Sequence, residues 1–214
     1  MGCSSAMLPS PCWASRISLR FIRATLAGVP APKGMAVVVR YRRSFLPGAT
    51  FFFTVTLADR RSDLLVRHIG ALREAFRAVR QEHPFRVEAI VILPDHLHSI
   101  WSLPEGDSDY PGRWRRIKSR FSRTLALQGV PLAKDERGAY ALWQRRYWEH
   151  TIRSDADRRR HVDYTHYNPV KHGLVRRVTD WPFSSFHRYV RIGLLPPDWG
   201  GCAAQEGGHF GERA

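Results

Sequence analysis

The sequence predicts an α+β fold of the split βαβ type, in which one antiparallel sheet carries its helices on one face. Three observations indicate this fold. Strand-forming runs and amphipathic stretches follow one another in the order strand, helix, strand, strand, helix, strand, helix, with no visible internal repeat. Two of these strands are separated by a tight turn, which indicates an antiparallel hairpin. The 214 residues are 43% hydrophobic, which is enough apolar material for one packed core.

The first strand and the first helix follow from a change in periodicity. Residues 51–57 (FFFTVTL) are aromatic and β-branched, which indicates a largely buried strand, and Pro47-Gly48 supplies a turn before it. From Ser62, whose hydroxyl can cap a helix, apolar residues recur at steps of three and four until about Gln81. This spacing predicts an amphipathic helix that packs on the sheet.

The next elements are a hairpin and a basic helix. Residues 85–93 (FRVEAIVIL) and 96–103 (HLHSIWSL) are separated by Pro94-Asp95, which makes a tight turn between two strands. After an acidic loop at 105–109, residues 113–127 place an aromatic or aliphatic side chain on the same helical face at every turn, among many cations. This pattern predicts a basic amphipathic helix.

The last elements are a fourth strand and a third helix. Residues 140–152 (YALWQRRYWEHTI) are dense in aromatic side chains and short enough to form a strand. Ser154 can cap a helix together with Asp157, in a carboxylate variant of the capping box. We expect this helix to end at 167 or 168, because Pro169 disfavours helical geometry in the residue before it. The complete order is that of ferredoxin-like and RRM-like domains, with the third helix in the C-terminal part.

The net charge of the chain indicates a polyanionic partner. Lysine and arginine number 34 against 19 acidic residues, which gives a net charge of +15 and a pI near 10.8. Nucleic acid is the leading partner class, although membrane surfaces and acidic proteins would be attracted by the same field. No stretch approaches the roughly 20 apolar residues of a membrane-spanning helix, so no membrane partner is expected.

Two groups of cations are candidates for DNA contacts. The predicted basic helix and the fourth strand carry the candidate residues, which are Arg113, Arg115, Arg116, Lys118, Arg120, Arg123, Arg145 and Arg146. Arg158, Arg159 and Arg160 could extend the second group along the third helix. Trp143, Tyr147 and Trp148 could stack unpaired bases, although strand geometry lets only some of them face outward. The alternative is a solvated helix whose aromatic residues belong to the core, and that interpretation holds for Phe121.

The ends of the chain differ in composition from its centre. The first acidic residue is Asp59, and Met35 directly precedes the first strand-like run. We expect residues 1–34 to be a disordered extension or a misassigned start, 35–192 to form the domain, and 193–214 to be a flexible tail, with Trp199 as a possible anchor. The three cysteines form no metal-spaced cluster and no disulfide framework, which favours a reducing cytoplasm; they are Cys3, Cys12 and Cys202.

Two pairs of residues are candidates for chemistry. His96 and His98 are two residues apart on a predicted strand, so both imidazoles point to the same face and could bind one metal ion. Tyr164 and Asn168 are one turn apart on the third helix and share a face. By pattern alone the histidines could be incidental, and Tyr164 and Asn168 are better explained as a core aromatic residue and a helix cap.

Four motifs resemble one known family and favour a catalytic role for these residues over a structural one. The strings PDHLHSIW, KSRFSR, WQRRYWEHTI and HVDYTHYNPVKHGLV occur in the order found in the REP-associated tyrosine transposases, relatives of the HUH single-strand transposases of bacterial insertion sequences. The likeness runs from about Tyr41 to Trp199, and the N-terminal extension departs from it. The resemblance implies that His96, His98 and Asn168 bind Mg²⁺ or Mn²⁺ and that Tyr164 is the nucleophile.

The resemblance also implies a reaction and a substrate. We expect metal-dependent cleavage and rejoining of single-stranded DNA through a 5′-phosphotyrosine intermediate, on hairpins formed by repetitive extragenic palindromes. Rejoining by transesterification needs no nucleotide cofactor. The enzyme would act as a monomer or homodimer in a bacterial cytoplasm. Two alternatives remain, a non-catalytic module that binds single-stranded nucleic acid and a metal-dependent nuclease that uses water.

The third helix also carries competing residues. Tyr167 lies about 300° around the helix from Tyr164, so it does not share the face of Asn168, and Tyr164 is the preferred nucleophile. Three histidines crowd the same region and could assist proton transfer or contact phosphate, although ordinary surface positions are the simpler interpretation; they are His161, His166 and His172.

Overall fold

The computed structural model of the protein describes residues 44–201. The predictions for the extension 1–34, for Met35 and for the three cysteines therefore fall outside the described residues. The strands are β1 (Thr50–Thr56), β2 (Arg86–Ile92), β3 (His96–Ser102) and β4 (Trp148–Thr151). The helices are α1 (Leu64–Arg67), α2 (Ile69–Glu82), α3 (Tyr110–Leu127), α4 (Asp155–Lys171) and α5 (Phe186–Arg191), with a 3-10 turn at Val178–Asp180 before α5. No helix in this part of the chain is long and apolar enough to cross a membrane.

The four strands form one sheet in the order β2-β3-β1-β4, with antiparallel pairing throughout. This topology confirms the predicted α+β fold. Strand β1 is central, and its residues Phe51, Phe52 and Phe53 are completely buried. Consecutive strand residues point to opposite faces, so burial of all three shows that β1 is covered on both sides.

The two faces of the sheet have different cover. On one face Phe53 and Trp101 pack against α2 and α3, where Trp101 stacks on Trp114 with ring centroids 4.2 Å apart. On the other face Phe52 and neighbouring apolar residues pack against α4. The predicted one-sided cover therefore holds for α2 and α3, whereas α4 lies on the opposite face. The physical reason is that β1 is apolar on both sides, so the second face also needs cover.

Three element boundaries differ from the sequence-based expectation. The first helix is interrupted at His68, which separates α1 from α2. Residues 140–147 form turns and two isolated bridges, Leu57 with Trp143 and Lys134 with Tyr140, so the fourth strand is only the four residues of β4. Helix α4 continues through Pro169 to Lys171. Proline removes only one backbone donor from the helix, and the last turn is kept in place by the buried proline ring and by the hydrogen bond that His172 N donates to Asn168 O.

Candidate functional site

Helix α4 places Tyr164 against the predicted histidine pair. The ring of Tyr164 lies 5.2 Å from that of His98, and the rings of His98 and His96 are 5.1 Å apart. All three side chains are buried, with Tyr164 only 3% exposed. Alternation along β3 directs both imidazoles to the face that α4 covers. The structure thus brings the strand pair and the tyrosine together.

Each histidine of the pair is held through its Nδ1 atom. His96 Nδ1 is 2.8 Å from Asp95 Oδ1, and Arg60 forms an ion pair with the same carboxylate at 3.0 Å. Burial raises the pKa of Asp95, but the hydrogen bond and charge of His96 and the charge of Arg60 outweigh this and hold the pKa below its ordinary value. The ionised carboxylate only accepts hydrogen bonds, so Nδ1 of His96 carries the proton. His98 Nδ1 is 2.9 Å from Thr54 Oγ1, which can orient that ring in the same way.

The predicted ligands and the histidine beside them form a group that we call the β3 cluster, consisting of His96, His98, Asn168 and His172, in which Asn168 O accepts a hydrogen bond from His172 N. Asn168 is completely buried one turn after Tyr164, and the exposed His172 places its ring 5.1 Å from that of His96. With Nδ1 protonated, the Nε2 atom of a histidine is the metal donor. Two imidazole nitrogens and one amide oxygen suit Mg²⁺ or Mn²⁺ and leave coordination positions for phosphate and water.

Lys171 contacts the phenol of Tyr164. Its Nζ donates a hydrogen bond to Tyr164 Oη at 3.0 Å and lies 4.8 Å from the centroid of the ring. The last turn of α4, which continues past Pro169, is what brings this lysine to the site.

Tyr167 lies on a different side of α4. Its ring packs so closely on Gly201 that a Cβ atom there would lie 2.9 Å from it. Tyr167 lines a cavity of about 380 Å³ together with Arg176 and Trp199. The ring of Trp199 is 6.0 Å from that of Phe186, so the start of the predicted flexible tail packs against the described fold.

A second histidine group lies at the start of α4, and we call it the β4 cluster, consisting of His150, Asp157 and His161. His150 Nε2 is 2.9 Å from Asp157 Oδ2, and His161 Nδ1 is 3.1 Å from Asp157 Oδ1. The two imidazoles stack at 4.6 Å. Their donor atoms lie within 4.8 Å of one another and could hold a metal ion. Asp157 also accepts a hydrogen bond from Arg153 N, so hydrogen bonds already occupy its carboxylate.

Burial sets the protonation of the histidines of α4. Burial lowers the pKa of His161, and it lowers that of His166 to about 3. The Nε2 atom of His166 is 3.0 Å from Ser185 Oγ, and the imidazole is completely buried beside Tyr189. The expectation of surface positions is therefore wrong for His161 and His166, because α4 lies between the sheet and the C-terminal segment.

The structure divides the predicted DNA-binding cations. Arg113 is only 2% exposed, forms an ion pair with Asp107 at 2.6 Å and donates hydrogen bonds to the carbonyls of His83 and Pro84. The prediction that Arg113 contacts DNA is corrected, because its donors serve the fold. Among the others, Arg120 pairs with Glu82 and Arg116 lies 3.8 Å from Asp109.

Four of the remaining candidates line a groove between α3 and residues 138–147. The groove has a volume of about 660 Å³, and its cationic lining consists of Arg115, Lys118, Arg123 and Arg145. Lys118 Nζ lies 5.5 Å from the ring centroid of Trp143 and 5.3 Å from that of Tyr147. Trp143 and Tyr147 thus line this groove, as stacking residues would, whereas Trp148 packs against Phe52 on the other face. Arg146 is exposed outside the groove lining.

Three residues of the site were not predicted from the sequence. Asp95 directly precedes His96, so its adjacency was a usable signal. Lys171 is seven residues after Tyr164, close to two helical turns, and an expected continuation past Pro169 would have revealed it. Thr54 carries no sequence signal, because its position opposite His98 depends on the pairing of β1 with β3.

Comparison with known proteins identifies relatives of this fold and site. The chain is 49% identical over 161 residues to the REP-associated tyrosine transposase of Escherichia coli K12, which covers 75% of the chain and 90% of that protein. It is 46% identical over 164 residues to a relative from Haemophilus influenzae Rd of the same family name, over 75% of the chain and 93% of the relative. No family model matches the chain.

A solved structure supports the same relationship. The structure of a REP-associated tyrosine transposase bound to a REP hairpin superposes with a TM-score of 0.73 and 46% sequence identity. The match covers 83% of this chain and 99% of the solved chain. At this identity and coverage, the chain belongs to the REP-associated tyrosine transposases.

Proposed function

We propose that this protein cleaves and rejoins single-stranded DNA with Tyr164 as the nucleophile and a divalent metal ion held by His96, His98 and Asn168. The observation that supports this most is the contact between the phenol ring of Tyr164 and the imidazole of His98, at 5.2 Å. A tyrosine beside two histidines whose Nδ1 atoms are held by Asp95 and Thr54 is arranged to work at one phosphodiester.

The proposed reaction is a transesterification. Tyr164 Oη attacks the phosphorus atom, so that an Oη–P bond forms and the P–O3′ bond breaks. The phenol proton passes to solvent, and the leaving 3′ oxygen takes up a proton to become a hydroxyl. The product is a 5′-phosphotyrosine, in which the phenol remains a good leaving group, so the 3′ hydroxyl of a second strand end can reverse the step without a nucleotide cofactor.

The metal ion would be Mg²⁺ or Mn²⁺, bound by the two Nε2 atoms and the amide oxygen. When bound, it supplies Lewis-acid polarisation of the scissile phosphate. The second group with metal-binding donors, the β4 cluster, is better suited to a structural role, because the carboxylate of Asp157 already accepts hydrogen bonds from His150 Nε2 and Arg153 N, and His161 Nδ1 donates to the Asp157 carbonyl.

The substrate we propose is a hairpin formed by a repetitive extragenic palindrome, as bound in the solved relative. The groove between α3 and residues 138–147 provides cations for the phosphate backbone, and Trp143 and Tyr147 provide aromatic faces for unpaired bases. The protein would act as a monomer or homodimer in the bacterial cytoplasm.

The test is a search for a covalent protein–DNA adduct. A labelled single-stranded hairpin oligonucleotide is incubated with the protein and Mn²⁺ and separated on a denaturing gel. We expect an adduct in the wild type and in Tyr167→Phe, and none in Tyr164→Phe. Cleavage that survives in Tyr164→Phe would instead support a nuclease that uses water, and binding without cleavage in the wild type would support a non-catalytic module.

A further inference from the structure

Lys171 lies against the atom that the proposed reaction uses as its nucleophile. Its Nζ donates a hydrogen bond to Tyr164 Oη at 3.0 Å and is 4.8 Å from the ring centroid. The seven-residue spacing is close to two full turns, so both side chains project from the same side of α4. Tyr164 is buried and Lys171 is exposed, so the contact joins a buried phenol to a cation that solvent can reach.

The surroundings of Tyr164 disfavour a charged oxygen. Its ring packs at 5.2 Å from His98 and 6.1 Å from Phe52, and at 3% exposure the side chain receives little solvation. A nearby positive charge would offset this lack of solvation.

We propose that Lys171 is a catalytic residue, whose ammonium group stabilises the negative charge that develops on Tyr164 Oη. The inference rests on the proposed function. Charge builds on Oη as its proton leaves for solvent before the Oη–P bond forms, and again when the Oη–P bond breaks in the reverse step. The lysine keeps its protons and acts through its charge and its hydrogen bond, so it contributes in both directions.

Two other roles for Lys171 would have different consequences. A lysine that only grips a DNA phosphate lowers affinity for DNA when it is removed, and leaves the rate at saturating DNA unchanged. A lysine that only stabilises the last turn of α4 lowers the melting temperature. Charge stabilisation at Oη instead changes the rate of the chemical step at saturating DNA.

The experiment measures single-turnover adduct formation at saturating hairpin oligonucleotide and Mn²⁺. The variants are Lys171→Met, Lys171→Arg and, as a matched control, Arg61→Met, which removes one charge from a side chain that is 93% exposed before α1. Affinity for the hairpin is measured in parallel by fluorescence anisotropy without metal, and folding by the melting temperature.

We expect Lys171→Met to form the adduct about 10²- to 10³-fold more slowly than the wild type, as for loss of one group that stabilises developing charge. Lys171→Arg should recover most of the rate, and Arg61→Met should match the wild type in rate. The affinities of Lys171→Met and Arg61→Met should be alike, since each loses one charge.

Three results would overturn this inference and leave the proposed function standing. The first is a wild-type rate in Lys171→Met, and the second is a loss confined to affinity for the hairpin. The third is a slow rate accompanied by a lowered melting temperature in both lysine variants. Absence of an adduct in the wild type would overturn the proposed function and this inference together.

Discussion

The β3 cluster and the β4 cluster lie on the same face of the sheet as Tyr164, and their histidines have different hydrogen-bond partners. In the β4 cluster, His150 and His161 both lie within 3.1 Å of the carboxylate of Asp157, which accepts from His150 Nε2, while His161 Nδ1 donates to the Asp157 carbonyl. In the β3 cluster, His96 and His98 have separate partners, Asp95 and Thr54, and both are contacted through Nδ1. The histidines of the two clusters therefore differ in how they are hydrogen-bonded.

We propose that this difference separates a catalytic cluster from a structural one. A shared carboxylate draws two imidazoles toward one another and ties β4 to the start of α4, which is a structural arrangement. Asp95 fixes the His96 tautomer with the proton on Nδ1, which leaves Nε2 as the metal donor. Under the proposed function, the Thr54 hydroxyl accepts from His98 Nδ1 and leaves the Nε2 atom of His98 in the same role. The number of histidines in a cluster is therefore less informative than the atom through which each one is held.

The largest expected effect is on cleavage. We expect His96→Ala or His98→Ala to reduce DNA cleavage on the order of 10³-fold, because each removes a proposed ligand of the ion that stabilises charge on the phosphate. His150→Ala, which removes a histidine from the β4 cluster, should retain most of the activity. Cleavage is measured under single-turnover conditions with Mn²⁺, and metal-free binding of the hairpin should survive in all three variants. The reverse pattern would assign the metal to the β4 cluster.

The next effect is on stability and arises in the β4 cluster. Asp157→Ala should lower the free energy of unfolding by about 2 kcal/mol, because it removes the acceptor of His150 Nε2 and of Arg153 N and the carboxylate beside the buried His161. Asp155→Ala is a matched control, since it removes an exposed carboxylate from the same first turn of α4 and should cost only about 0.5 kcal/mol through the helix dipole. Urea unfolding measures both variants. Equal losses would show that the cluster contributes no specific stability.

A further effect is the dependence of stability on pH, which arises from the buried histidines of α4. The folded-state pKa of His166, about 3, lies below its ordinary value of 6.5, so the unfolded chain binds more protons and stability falls as pH falls below 6.5. Between pH 6.5 and pH 5 one such group costs about 2 kcal/mol. His161, whose pKa is also lowered, acts in the same direction. We expect His166→Gln to lose most of this slope in urea unfolding, and an unchanged slope would contradict the burial of His166.

Local signals in the sequence predicted much of the fold. The apolar run of β1, the tight turn before β3 and the Ser154 cap of α4 depend on neighbouring residues, and all three were predicted. The spacing of Tyr164 and Asn168 also follows from helix geometry alone. The fourth strand was predicted too long because its aromatic residues pack along α3, and density of aromatic side chains does not distinguish a strand from a loop that lies on a helix.

Tertiary contacts set what the sequence could not predict. Arg113 belongs to the most basic run of the chain, yet its guanidinium is buried against Asp107 and two backbone carbonyls that lie about 30 positions earlier. His161 and His166 are buried because the second face of the sheet is covered, which depends on the path of the whole chain. Thr54 likewise reaches His98 only through the pairing of β1 with β3, whereas Asp95 is adjacent to His96 in the sequence.

The central claim is that Tyr164 carries the DNA, and locating the modified residue tests it most directly. The wild-type adduct is digested with trypsin, which releases residues 161–171 as one peptide that contains both Tyr164 and Tyr167. The attached DNA is trimmed to a nucleotide remnant, and the peptide is fragmented in a mass spectrometer to locate the modified tyrosine. We predict that the added nucleotide mass lies on Tyr164. The same mass on Tyr167, or on a residue outside this peptide, would contradict the account.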